Sequence, residues 1–153
     1  MVKLNAVIVE TGATPQVALR EQRALNKFAW EATGKYWGQE MLPRHFSAMA
    51  QPLYGYRDRT AKYQARKQKQ FGHTRPLVFS GETELMSKFF RVRPTKYGAQ
   101  ITVQAPAVNL CQRGEELRAV AEPEAKDLGE KLKSEGFVFL GKFRNERRVT
   151  KAG

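Results

Sequence analysis

Between Thr14 and Pro43 the chain carries two apolar stripes at helical spacing, and this double pattern restricts its folds more than any other feature. Thr14 is placed to cap a helix whose first position is Pro15, where the missing N–H costs nothing. Ala18, Leu25, Phe28, Ala29, Ala32 and Tyr36 fall on one side of that helix, with Arg20, Arg23, Lys27 and Glu31 opposite. Leu19, Trp30, Trp37 and Met41 form a second stripe, roughly a quarter-turn away at ~100° per residue. One stripe is enough to dock a helix on its own sheet. Two mean a helix sandwiched within its domain or one that also meets another subunit. Leu19, Trp30, Trp37 and Met41 are therefore the candidate subunit-interface residues. Gly34 and Gly38 weaken the end of the helix, and Pro43 kinks or stops it.

The elements around this helix are shorter. Val2 to Val9 has the alternation of a mostly buried strand. Asp58 is placed to cap a second helix running to about Gln70. Its apolar residues form no core stripe, whereas Arg59, Lys62, Arg66 and Lys69 share a face. Ser80 is a loose cap for a helical turn through Glu82, Leu85 and Met86. Phe89–Arg93 and Gln100–Ala105 form a hairpin, with Ile101 and Val103 on one face, Gln100, Thr102 and Gln104 on the other, and Gly98 in the turn. Residues 109–120 have no regular pattern. Pro123 opens a last helix that Gly136 stops, and Phe137 to Leu140 follow as a closing strand or an apolar plug. These elements make one α+β domain over 1–141, a long N-terminal amphipathic helix packed on a small, mainly antiparallel sheet with a central hairpin. A basic tail, 142–153, follows it.

A chain of 153 residues can bury one real core and not two ordinary ones. Its 27 Lys and Arg against 15 Asp and Glu leave a net charge of +12, which favours anionic company: nucleic acid, a phospholipid surface or an acidic protein face. The excess is concentrated at Arg57, Arg59, Lys62, Arg66, Lys67 and Lys69, the candidate residues for an anionic partner. Tyr54, Tyr56, Tyr63 and Phe71 lie among them and could stack on bases. Acids gather instead between Glu115 and Glu135, so the chain is polarised enough to pair unlike patches on successive copies of a ring.

Chemistry is sparse. The sequence contains no phosphate-binding glycine loop, no nucleophile elbow and no metalloprotease motif. Cys111 is the only cysteine, and His45 and His73 the only histidines, so neither an intrachain disulfide nor a Cys/His zinc cluster can form. As a catalytic base His45 would need an orienting carboxylate, and Glu40 is the only one close in sequence. His45, His73 and Cys111 are read as structural side chains, with no catalytic residue, metal or cofactor expected. No segment has the length and apolarity of a membrane span.

Two blocks carry a family resemblance. The first joins Tyr54-Gly55-Tyr56, Arg57 and Arg59 to Tyr63 within a Lys-rich helix containing Lys67 and Lys69, then to Pro76-Leu77-Val78 and Ser80-Gly81. The second is Glu116-Leu117-Arg118-Ala119-Val120 with Pro123-Glu124 and the helix to Leu132. Together they resemble small phage morphogenesis proteins of the tail-completion or neck (head–tail joining) group. The resemblance implies a non-enzymatic virion protein of a long-tailed phage, assembled in the host cytoplasm as a homo-oligomeric ring between connector and tail tube. Implied partners are connector or adaptor proteins and tail-tube or terminator proteins, with non-specific contact to packaged DNA and no membrane. A rival reading is a non-specific nucleic-acid-binding module using the basic helix around 57–75.

Overall fold

A computed structural model describes residues 14–78, 80–104 and 114–151. Helix α1, Pro15–Tyr36, starts as its sequence requires: Val17 donates its backbone N–H to the Thr14 hydroxyl, and Pro15 occupies the first turn. Pro43 has no N–H with which to continue the α ladder. Ahead of it the helix widens into a π-helical turn, Trp37–Met41, in which Leu42 N–H reaches the Trp37 carbonyl. A tight 3-10 turn, Leu42–Phe46, follows. This break turns Met41, Leu42, His45 and Phe46 inward, each at 1 % exposure or less.

After that come α2 (Ala50–Tyr54), α3 (Ala61–Phe71), α4 (Glu82–Ser87), the strands β1 (Phe90–Pro94) and β2 (Ala99–Val103), α5 (Gly114–Arg118) and α6 (Glu122–Lys151). The strands form a two-stranded antiparallel hairpin, with Val92 opposite Ile101 and Arg93 opposite Gln100. Exposure alternates along both strands as the sequence predicts. Gly98 lies in the turn as expected, without a left-handed backbone, and Thr95 closes the loop, its hydroxyl accepting from the N–H groups of Tyr97 and Gly98.

Helix α1 is the sandwiched kind. Along one side α6 runs antiparallel to it, with the Phe139 ring tilted against that of Phe28, centroids 5.5 Å apart, and Lys131 over the ring of Tyr36. The hairpin lies on another side. Gly34 and Gly38, expected only to weaken the helix, are what let it approach: a Cβ on Gly34 would stand 2.7 Å from Val92 Cγ1, and one on Gly38 2.4 Å from the Phe90 ring. The central core consists of Leu42, Phe46, Val78 and Leu117, with Trp37, Leu77 and Val103 packed against it.

Four expectations change. Residues 114–118, within the stretch expected to be irregular, form the helix α5. The last helix does not stop at Gly136: α6 continues through Phe137–Leu140 and the basic stretch to Lys151, so there is neither a closing strand nor a break at 141. Glycine costs a helix only ~1 kcal/mol, and packing on α1 outweighs it. Thr60, not Asp58, caps α3, because the Asp58 carboxylate is occupied by Gln51 Nε2. Gly81 in a left-handed conformation, not the Ser80 side chain, precedes α4. The strand expected over 2–9 and Cys111 lie outside the described residues.

Candidate functional site

The Tyr54-Gly55-Tyr56 segment closes over a buried polar cluster. Gly55 adopts φ +64°, ending α2 in a left-handed turn that sends both tyrosines to the same side. Tyr54 stacks on His45 with ring centroids 3.9 Å apart and planes within 9°. The Tyr56 hydroxyl pairs with His45 Nδ1. Burial pulls the His45 pKa down to about 4, against a smaller upward pull from the Glu124 carboxylate and the Glu116 backbone, so the ring is neutral at neutral pH. Both phenols are pushed well above their ordinary range, first by burial and, for Tyr54, then by its bond to Glu124.

The carboxylate beside His45 is thus Glu124 and not Glu40. It sits in the first turn of α6, its side chain 2 % exposed. There it accepts the Tyr54 hydroxyl at 2.6 Å and the Ala121 N–H at 3.4 Å, and lies 3.5 Å from Arg44. The Ala121 bond is half of a capping box, which makes Glu124 a helix cap as well as a partner of Tyr54. Everything His45 touches is packed, and the neighbouring cleft around Tyr56, Arg59, Lys67 and Leu77 has room for little more than a water molecule. The arrangement is a brace among α2, the 3-10 turn and α6.

The six anionic-partner residues do not share one surface. Arg59 lies before α3 and turns to Glu116 at 2.5 Å, both side chains mostly covered, while its other amino group donates to the Arg57 carbonyl. Lys67 is 3 % exposed, its ammonium held by the Arg75 carbonyl. Roughly 140° separates it from Lys62 on the helix, at ~100° per residue. Arg57, Lys62, Arg66 and Lys69 are exposed. The interleaved aromatics are not: Tyr56 is buried, Tyr54 covers His45, and Tyr63 and Phe71 are half-buried.

The interface stripe divides similarly. Met41 is fully buried and cannot meet another subunit; Trp37 is half-buried against the core, Trp30 is half-buried, and Leu19 is open. His73 is partly buried, its pKa lowered by burial and by the cations Lys67 and Arg75. Of the acids, Glu116 and Glu124 face inward, whereas Glu122, Asp127 and Glu130 are exposed on α6. Among the described residues no acidic, Cys or His group has the geometry to hold a metal ion, and no helix is long and apolar enough to cross a membrane. Comparison with protein families, with characterised proteins and with solved structures gives no match.

Sequence reasoning missed Glu124 as a partner of His45 because the two are remote in the chain. The one available signal was its spacing. An acid three residues into a helix opened by a proline segment is the capping-box position.

Proposed function

We propose that the chain is a structural subunit of a long-tailed phage virion, forming a ring at the head–tail joint or completing the tail, and acting by protein–protein assembly without a reaction. The phage assignment comes from the resemblance across Tyr54–Gly81 and Glu116–Leu132. What favours assembly is the outer side of α6. Phe139 faces α1, so Phe137, roughly 160° round the helix at ~100° per residue, lies on the side away from it and Leu140, about a quarter-turn away, on its flank, 63 % and 42 % exposed. The same helix shows exposed acids in its first turns, and α3 shows exposed cations. One copy therefore carries both members of a complementary pair, as a head-to-tail ring contact requires.

The rival, a nucleic-acid module built on helix 57–75, loses Arg59 and Lys67 to internal contacts. Mass measurement of the purified chain, alone and with connector and tail-tube proteins, tests the assembly reading. A discrete oligomer that Phe137→Glu disperses is the expected result. A monomer under every one of these conditions would sink it.

A further inference from the structure

The hairpin has an open face that none of the foregoing uses. Its inner residues Phe90, Val92 and Ala99 meet α1 and Val103 meets the core, which leaves Arg91, Arg93, Gln100 and Thr102 exposed on the other side. The register sets Arg91 opposite Thr102 and Arg93 opposite Gln100. The two arginines are about 6–7 Å apart along the strand, from two residue rises. Neither has an ion pair or side-chain hydrogen bond among the described residues. Lys88 and Lys96 are exposed at the two ends of β1's side of the ribbon. From Leu85 to Gly114 the chain contains no acidic residue, and Lys96 places its ammonium 4.5 Å over the Tyr97 ring.

Aromatics stand in the open beside them. Tyr97, at the hairpin tip, is 79 % exposed, and Phe89, at its base, 59 %. On α3, by contrast, the cations are exposed but the aromatics are covered. Guanidinium groups bind phosphate through two parallel N–H bonds. A two-stranded ribbon fits the DNA major groove, about 12 Å wide. We propose that the outer face of the β1–β2 hairpin is a sequence-independent DNA-binding surface, with Arg91 and Arg93 on phosphates, Lys88 and Lys96 flanking them, and Tyr97 stacked against sugar or base at the tip. The assignment needs no second copy, so it stands apart from the assembly reading.

The test is a salt titration of the full chain on a random-sequence duplex, with oligomeric mass followed on the same samples. Arg91→Gln/Arg93→Gln should lower the slope of log affinity against log salt by about two, near 0.9 for each phosphate no longer neutralised, and weaken binding roughly tenfold. Tyr97→Ala should weaken it at constant slope. Lys62→Gln/Arg66→Gln/Lys69→Gln should leave the slope unchanged. All these side chains are exposed, and unchanged thermal unfolding checks that each variant is folded. Three results would overturn the proposal: no duplex retention by the wild type at low salt, an unchanged slope in the arginine pair, or the greater loss in the α3 variant. Polyglutamate retained as tightly as duplex, with the same loss in the arginine pair, would also overturn it and point to an acidic protein. A monomer that binds DNA through the hairpin would retire the ring and keep this surface.

Discussion

Tyr54 donates its hydroxyl to the Glu124 carboxylate at 2.6 Å, joining positions 70 residues apart. One end of the contact follows the break in α1 and the other opens α6, so it clasps the ends of the antiparallel helix pair. The carboxylate is buried, and each donor it retains matters, because an unmatched charge there is far costlier than one in water.

Tyr54→Phe keeps the stack on His45 and removes only this donor. The expected loss is about 1.5–3 kcal/mol of unfolding free energy, the range for a hydrogen bond to a charged group. Urea denaturation measures it. A loss below ~0.5 kcal/mol would mean that Arg44 and the Ala121 N–H suffice for Glu124.

Gly38→Ala should destabilise the fold by about 1–2 kcal/mol, since overpacking against Phe90 exceeds the ~1 kcal/mol gain in helix propensity. Gly129→Ala on α6 should have the opposite sign. A Cβ there meets nothing within 4 Å. Opposite shifts in thermal midpoint for two glycine-to-alanine changes in helical segments would separate packing from propensity.

Stability should fall as pH drops from 6.5 towards 4. His45 has a folded pKa of about 4 against an ordinary 6.5, so through that window the unfolded chain binds the extra proton. The stabilisation is fully present above pH 6.5 and is lost on acidification, up to about 3 kcal/mol. His73 is shifted in the same direction and adds to the slope. His45→Gln should flatten the stability–pH curve between these limits; an unchanged curve would place the titration elsewhere.

Two neighbouring lysines should behave differently. Lys67→Ala removes a buried stem and the donor to the Arg75 carbonyl, with an expected cost of about 2 kcal/mol. Lys69→Ala, on the exposed face, should stay within ~0.5 kcal/mol. Equal effects in chemical denaturation would contradict the inward placement of Lys67.

Local chemistry was legible where it acts over one or two turns. Thr14 and Pro15 start α1, and the alternation over Ala99–Val103 sets the hairpin faces. The candidate site was legible only in pieces. Tyr54, Tyr56 and His45 stood out as residues, but their stacking depends on the turn at Gly55, and their carboxylate comes from the far end of the chain. Composition likewise identified a basic segment without showing that Arg59 would be drawn to Glu116.

What the amino-acid order determined by itself is the amphipathic α1 with its two apolar stripes, its break near Pro43, the hairpin and the excess of positive charge. Periodicity, caps and a missing N–H act within a few residues, so each is written locally. Tertiary structure decided what packs on α1: α6 along one side and the hairpin on another, admitted by Gly34 and Gly38. It also turned Lys67 and Glu124 inward and left Arg91 and Arg93 facing solvent. Those outcomes depend on which remote surfaces meet, because burial and pairing energies belong to the contact and not to either segment alone.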